Sequence, residues 1–212
     1  MDKESLLKLI AESGYNVAFG AKKHFASYDM IEKLPELIGL VSIFAGVLAL
    51  VYPEFAQVKV SVVVILMGVV GLYISQHNSE KAKYEEAGRA LTGIHDQLKA
   101  LFYRAKNNQS ASFTTEEAEL KSLLEEFNEA SISKQLILSD WYAHYKFFWQ
   151  HQIDWIERQR IEEGRKFRFW RDKVPLSFSI VCTVLIVSLL YSAIPFTNAC
   201  STALATVKNW IG

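Results

Sequence analysis

Three apolar runs stand out from an otherwise mixed pattern of hydrophobic and polar residues. Residues 37–52 and 60–75 hold no charged residue over sixteen positions each, and residues 174–199 hold none over twenty-six. Because a helix crosses a bilayer with about 20 apolar residues, the third run is long enough by itself. Leu34, Pro35 and Val58 extend the first two runs. The pattern therefore predicts three transmembrane helices.

The first two runs are joined by a short loop, residues 53–57 (PEFAQ), which predicts a transmembrane hairpin. Overall composition does not decide the class of protein, because half of the 212 residues are hydrophobic and 23 basic residues balance 23 acidic ones. The alternative is a buried helical hairpin of a soluble protein. Three such runs would form a core too large for the polar surface available, so we predict an all-α membrane protein.

Helical periodicity dominates the region between the second and third runs. Apolar positions from Tyr84 to Leu101 alternate in steps of three and four, which is typical of an amphipathic helix with a narrow seam. We expect this helix to continue directly from the second span as one long rod. Residues 107–113 break the pattern, and Thr114 with Glu117 predicts a capping box that begins a second helix.

Aromatic residues crowd residues 141–155, where seven of fifteen positions are Trp, Tyr or Phe. Four of them keep near-helical spacing, so we expect them to pack against the first rod. These four residues are Trp141, Tyr145, Phe148 and Trp155.

His144 and His151 lie seven residues apart, but no further ligands converge with them and we predict no metal site.

Basic residues flank the apolar runs unevenly. They cluster before the first run, after the second and before the third, whereas the first loop holds only Lys59 and the end of the chain only Lys208. Since lysine and arginine favour the cytoplasmic side of short flanking segments, we expect a cytoplasmic N-terminus and an extracytoplasmic C-terminus. The expected location is the bacterial inner membrane. No signal peptide is recognisable, so we expect the first span to direct insertion.

Two segments combine basic and aromatic residues at the edge of a predicted span. Residues 165–173 (RKFRFWRDK) precede the third run and residues 14–34 precede the first. Both compositions suit the boundary of a bilayer, with Val17, Ala21 and neighbouring apolar residues toward lipid or other helices and lysines toward headgroups. For the basic segment, a contact with nucleic acid or a nucleotide is the alternative. The interfacial or coupling candidates are Lys22, Lys23, His24, Tyr28, Arg165, Lys166, Arg168 and Trp170.

No pattern of catalytic residues is recognisable. The phosphate-binding GxxxxGK[ST] motif and the GxSxG nucleophile elbow are absent. Acidic pairs such as Glu116 and Glu117 are typical of solvated helix faces, and Glu162 and Glu163, close to arginines in the sequence, suit exposed ion pairs better than a catalytic dyad. We therefore predict that the protein is not an enzyme and has no cofactor. Two cysteines, Cys182 and Cys200, are too few for a disulfide framework.

Small residues recur on one face of each of the first two spans. Lipid gives helices no hydrophobic reason to associate, so close approach at small residues drives their packing. The spacing predicts tight contacts within the hairpin or, equally, between subunits. No ionisable residue lies within a span, which argues against a carrier or pump. The packing and pore candidates are Gly39, Ser42, Gly46 and Ala49 in the first span and Ser61, Gly68, Gly71 and Ser75 in the second.

These patterns divide the chain into five predicted segments. The transmembrane hairpin is the central feature, with long cytoplasmic helices attached to it and a third C-terminal transmembrane helix beyond them. The segments are an N-terminal interfacial segment (1–34), the hairpin (35–76), a cytoplasmic helical domain (77–173), a third transmembrane helix (174–196) and an extracytoplasmic tail (197–212).

The N-terminal half of the chain resembles a known family. Residues 15–50 (YNVAFGAKKHFASYDMIEKLPELIGLVSIFAGVLAL), followed by a proline-containing loop and a second span, resemble the SLATT family. Gly20, Lys22, Lys23 and Tyr28 are among the residues that carry the likeness. SLATT members are bacterial membrane effector domains found beside nucleotide-signalling and other conflict systems. Because the family's core has two spans, the third span here is an addition.

The resemblance implies the membrane effector of an antiviral, abortive-infection system, which oligomerises and forms a pore or disrupts the inner membrane when a partner signals. Implied partners are the lipid bilayer, further copies of the chain, and a defence enzyme or its nucleic-acid or nucleotide product. Reverse transcriptases and cyclic-nucleotide synthases are such enzymes. No sensor domain is recognisable, so we expect activation in trans. The alternative is a non-conducting anchor or scaffold that recruits a soluble partner through the aromatic helices.

Overall fold

The computed structural model describes residues 1–109, 112–150 and 174–193, and these ranges are helical apart from short connections. Residues 1–167 form one compact unit and residues 168–212 form a second. The helices are α1 (Lys3–Val51), α2 (Val58–Ser75), α3 (Lys81–Asn107), α4 (Thr114–Ala130), α5 (Ser139–Gln150) and α6 (Leu176–Ala193), with a short 3₁₀ helix at Asn78–Glu80.

Helix α1 is a single uninterrupted helix of 49 residues. The side chain of Asp2 caps its start by accepting a hydrogen bond from the backbone N–H of Ser5 at 3.2 Å. It ends where Tyr52, the residue before Pro53, adopts extended backbone, the conformation that a following proline favours. At about 1.5 Å per residue the helix is about 73 Å long. It therefore extends well beyond the thickness of a bilayer.

Helices α2 and α3 run antiparallel to α1 along most of its length. Gly71 lies beside Ile38, the ammonium of Lys81 lies 2.5 Å from the carboxylate of Glu32, and Gly88 faces the ring of Phe25. The predicted single rod is wrong in one respect, because α2 ends at Ser75 and α3 begins only at Lys81. The intervening residues, QHNSE, are mostly polar groups that compete for backbone hydrogen bonds and so favour a turn over a continued helix.

The first half of α1 packs with α3, α4 and α5 into a compact bundle, which we call the helical domain. Its core contains fully buried aliphatic side chains from α1 and α3, among them Leu6, Ile10, Leu91 and Leu98. Gly20 lets α4 approach, since a Cβ there would lie 3.3 Å from the ring of Phe127. The domain begins at the N-terminus of the chain and not, as the sequence suggested, only after the hairpin.

Helix α4 begins at Thr114, as predicted, but without the predicted capping box. The capping position is Phe113, which makes no side-chain hydrogen bond to the helix, so Thr114 lies already inside the first turn. The side chain of Phe113 is buried in the core, and this burial fixes the place where the helix starts. Glu116 instead accepts a hydrogen bond from the side-chain amide of Asn108 at 2.8 Å.

The aromatic helix α5 packs against α1, not against α3 as expected. Among its described side chains, those of Ser139, Ala143 and Phe147 are fully buried, whereas Tyr145 is half exposed. The ring of Phe147 meets Tyr15 edge-on with 5.2 Å between centroids and Phe19 at 5.9 Å. The spacing of the aromatic residues predicted a helix correctly but gave the wrong buried face, because aromatic residues lie on every side of this segment.

Two described helices, α1 and α2, are long and apolar enough to cross a membrane. The apolar residues of this hairpin are mostly exposed, with Ile43 at 66%, Leu50 at 87% and Val58 at 78%. A hairpin that hides so little apolar surface within the protein needs lipid around it. The protein is an all-α membrane protein, as predicted. In α6 the described apolar stretch, Leu176–Val187, is shorter than a span, and the predicted third span stays a prediction.

Candidate functional site: the junction between the helical domain and the membrane hairpin

The helical domain meets the hairpin at a small apolar cluster, which we call the junction. Met30 and Ile31 of α1, Ile74 of α2, Tyr84 of α3 and Leu136 are buried together there. Leu136 comes from residues 131–138, the connector between α4 and α5. The connector therefore lies against the point where α1 and α2 leave the apolar part of the hairpin.

A buried histidine holds the connector on α1. His24 is 3% exposed, and its Nδ1 lies 2.7 Å from the carbonyl oxygen of Gly20, so this nitrogen donates its proton. The Nε2 atom is then unprotonated and accepts a hydrogen bond from the backbone N–H of Ile132 at 3.0 Å. Burial lowers the pKa of His24, and the nearby Lys23 ammonium also lowers it. The arrangement requires a neutral imidazole.

Two further hydrogen bonds fix the same connector. The hydroxyl of Ser27, which is fully buried, donates to the side-chain oxygen of Gln135 at 2.8 Å. From α3, the hydroxyl of Tyr84 donates to the carbonyl oxygen of Lys134 at 2.8 Å, and burial raises the pKa of this tyrosine. Side chains of α1 and α3 thus satisfy polar groups of a segment that is not helical.

An ion pair joins α1 to α5 beside the connector. The carboxylate of Asp29 contacts the ammonium groups of Lys146 and, one turn along α1, Lys33 at 2.9 Å. The side chains of Asp29 and Lys146 are only 13% and 15% exposed. Burial by itself would raise the pKa of Asp29, but the two ammonium groups outweigh it, and the pKa is lowered. Asp29 is therefore the charged centre of the junction.

The predicted interfacial residues of α1 lie within helix contacts of the helical domain. Lys23 pairs with Asp140 of α5 at 2.8 Å, and Lys22 is half-buried, where burial and then the nearby Lys146 cation lower its pKa. Tyr28 is partly buried against the junction, with the Lys81 ammonium 6.0 Å from its ring. Lys22 lies about 22 Å along the helix from Leu37, and the expectation that these lysines face headgroups stays a prediction.

The small residues of the hairpin do not all lie between its two helices. A Cβ at Gly39, Gly46 or Gly68 would meet no atom within 4 Å, whereas at Gly71 it would lie 3.6 Å from Ile38. The first three glycines therefore do not hold this hairpin together, and their role between subunits stays a prediction. Of the remaining candidates, Ser42 and Ala49 are half-buried, and Ser61 and Ser75 are exposed.

A family model matches residues 1–182, which is most of the chain; its description is "SMODS and SLOG-associating 2TM effector domain 6". The chain belongs to the SLATT family. The match covers both helices of the hairpin, the helical domain with its connector, and the first turns of α6. No curated protein and no solved structure matches the chain.

The family assigns this SLATT protein to membrane effectors that accompany defence systems. Among the described residues, no group of three or more His, Cys, Asp or Glu side chains could hold a metal. The candidates Arg165, Lys166, Arg168 and Trp170, together with His151 and Trp155, lie outside the described residues. The bilayer-facing surface and the junction are therefore the parts of the site that the structure defines.

Sequence reasoning about this SLATT protein missed Asp29, Tyr84, Gln135 and Lys146 as members of the junction. A weak indication was present: His24 and Ser27 fall on the apolar stripe of α1 that Val17, Ala21 and Ile31 define. A polar side chain on a buried stripe must find a hydrogen-bond partner. The sequence gives no information on which distant segment supplies that partner.

Proposed function

We propose that this SLATT protein is the membrane effector of a bacterial antiviral defence system, which assembles and permeabilises the inner membrane when a partner signals. The proposal rests on one structural observation together with the family: α1 is at once the core of the helical domain and the first span. A rearrangement of the helical domain that moves α1 must also move the membrane hairpin.

The junction provides a place for such a rearrangement. Pro35 lies inside α1 next to the junction and lacks the N–H that would bond to the carbonyl of Ile31, so the helix is weakest there. The connector is attached to α1 just before this point, through His24 and Ser27. A signal that releases or shifts the connector would change the contacts of α1 beside its weakest turn.

The surface of the hairpin supports assembly of several chains. Gly39, Gly46 and Gly68 leave open space on the faces of α1 and α2, where the backbone of another copy can approach closely. One hairpin cannot enclose a pore, so conduction requires an oligomer. With the topology proposed here the helical domain is cytoplasmic, and the trigger is a defence enzyme, such as a reverse transcriptase or cyclic-nucleotide synthase, or its product.

The experiment compares the intact chain with a chain whose α1 is uncoupled, in cells that carry the genomic neighbours. A glycine-rich insertion between Glu36 and Leu37 interrupts α1; the matched control carries the same insertion between Glu54 and Phe55, in the loop beyond the spans. We expect membrane depolarisation on triggering in the wild type and in the loop control, and none in the α1 variant at equal membrane abundance.

Unchanged membrane potential in triggered wild-type cells would contradict the effector proposal. If, in the same cells, a soluble partner leaves the membrane when the protein is deleted, the protein is a non-conducting scaffold. Depolarisation by the α1 variant as strong as in the wild type would show that the helical domain does not act through α1.

A further inference from the structure

Exposed apolar residues lie at the end of the connector and at the start of α5. Ile137 is 67% exposed and Leu138 is 50% exposed, although Leu136 directly before them is buried in the junction. On α5, Trp141 and then Tyr145, which is 50% exposed, follow at intervals that place them on one side of the helix. We call Ile137, Leu138, Trp141 and Tyr145 the apolar tip. Large apolar side chains exposed so close together in the chain, beside the half-buried Trp141, indicate a contact surface.

The backbone of Leu138 makes the patch more unusual. Its φ is 69°, a left-handed conformation that glycine or asparagine adopts far more readily than leucine. It also occupies the position before α5, where its carbonyl oxygen accepts hydrogen bonds from the N–H groups of Trp141 and Tyr142 and where Ser, Thr, Asp or Asn is usual. In water, a small polar residue would suit this backbone conformation and this capping position better than leucine does.

The tip lies beside the residues of α1 that directly precede its uncharged run. Leu138 and Trp141 line one cavity of about 300 Å³ together with Met30 and Leu34 of α1. The uncharged run of α1, residues 37–52, spans about 24 Å, which is less than the hydrocarbon thickness of about 30 Å. The hydrocarbon region is therefore longer than this run, and on the side of Leu37 the next large apolar side chain is that of Leu34, which lines the same cavity as the tip.

We propose that the apolar tip lies in the interface of the same bilayer that α1 and α2 cross, with its apolar side chains in lipid. The partner is lipid, because the hairpin beside the tip is itself surrounded by lipid. Tryptophan and tyrosine suit this depth, and Lys33, 67% exposed on the rim of the same cavity, suits the headgroups. The hydrogen bonds that the connector makes with His24, Ser27 and Tyr84 hold it in this position beside α1.

The contact would give the helical domain a membrane attachment of its own, separate from the two spans. It goes beyond the proposed effector activity and does not depend on pore formation. It requires only that the hairpin spans the bilayer. In this position the side chain of Leu138 lies in lipid, which favours an apolar side chain, and not in water.

Depth-dependent fluorescence quenching tests the proposal in the full-length protein. Cys182 and Cys200 are replaced by serine, and the single variant Ile137→Cys is labelled with a polarity-sensitive fluorophore. The matched control is Lys121→Cys on α4, whose side chain is 80% exposed and lies outside the junction. Both proteins are reconstituted in phosphatidylethanolamine–phosphatidylglycerol vesicles that carry a nitroxide either near the headgroup or at the bilayer centre.

We expect the label at position 137 to be blue-shifted and to lose most of its emission to the headgroup-level nitroxide, with less loss to the central one. The label at position 121 should emit as in water and lose little to either. Water-like emission without quenching at position 137 overturns the proposal. A blue-shifted label that neither nitroxide quenches overturns it too, because a second copy or another protein then covers the tip.

Discussion

The two halves of helix α1 differ in where their apolar side chains lie, one half inside the protein and the other on its surface. All fourteen buried residues of α1 lie between Leu6 and Ile31, and none lies in the part that continues to Val51. The second half is the more uniformly apolar, yet Ile43 and Leu50 are 66% and 87% exposed. The buried residues of α1 and its most apolar stretch therefore lie in different halves of the helix.

The comparison shows that one helix is built for two media. In the first half an apolar stripe packs against α3, α4 and α5, and most of the remaining positions are polar, as suits water. In the second half apolar residues surround the helix, because lipid favours them on every face. The change occurs at the junction, between the ion pairs of Asp29 and the start of the uncharged run at Leu37.

Replacing isoleucine by alanine in each half of α1 should give the largest difference in the free energy of unfolding. Ile10 is fully buried in the helical domain, so Ile10→Ala removes packed methyl groups and should lower the free energy of unfolding by about 2–5 kcal/mol. Ile43→Ala changes one apolar side chain for another on an exposed face and should change it by less than about 0.5 kcal/mol. Thermal unfolding of both variants in the same detergent measures the difference. Equal losses would mean that the second half is packed as tightly as the first.

Two glycines compare how closely other atoms approach the backbone in the helical domain and in the hairpin. A Cβ at Gly88 would lie 3.0 Å from the ring of Phe25, so Gly88→Leu should overpack the helical domain and destabilise it by about 1–3 kcal/mol. A Cβ at Gly46 meets no atom within 4 Å, so Gly46→Leu should leave the fold of the single chain unchanged. Any loss of activity in Gly46→Leu should then appear as loss of oligomer in crosslinking.

Crosslinking measures the assembly of Gly46→Leu, and thermal unfolding measures the stability of Gly88→Leu. If Gly46→Leu assembles and depolarises as the wild type does, the open glycines of the hairpin do not serve contacts between subunits. If Gly88→Leu unfolds as the wild type does, Phe25 can move aside and the α1–α3 contact tolerates a wider spacing.

A smaller effect should depend on pH at the connector. His24 must be neutral to accept the Ile132 N–H, and burial lowers its pKa below the ordinary value of 6.5. Its contribution is therefore complete above that value and is lost as the pH falls through the lower folded-state pKa, with an effect of about 1 kcal/mol. Hydrogen exchange at the Ile132 amide, corrected for its intrinsic pH dependence, measures the loss.

The matched variant His24→Gln carries no group that titrates in this range. Protection of the Ile132 amide in that variant should not change with pH beyond the intrinsic effect. A pH dependence that persists in His24→Gln would assign the effect to the other buried histidines, His95 and His144, whose pKa values burial also lowers.

The sequence predicted the all-helical fold, the two spans, the break at residues 107–113 and the family. These features follow from local patterns: long uncharged runs, steps of three and four, and a polar stretch. It did not predict that residues 3–31 belong to the helical domain, because their aromatic and basic residues suit an interface as well as a bundle. The pairs His24–Ile132, Ser27–Gln135 and Asp29–Lys146 join residues more than a hundred positions apart, and periodicity contains no such information.

The most direct test that one helix occupies two media is the accessibility of two apolar positions on α1 to oxygen and to a water-soluble reagent. Leu9 is 40% exposed in the first half and Ile43 is 66% exposed in the second. Nitroxide labels at Leu9→Cys and Ile43→Cys, in protein lacking Cys182 and Cys200 and reconstituted in vesicles, report collisions with oxygen, which concentrates in lipid, and with a water-soluble nickel complex. We predict that the label at Ile43 collides with oxygen and is protected from nickel, and that the label at Leu9 shows the reverse. Equal collision of both labels with nickel would contradict the account, because the hairpin would then lie in water.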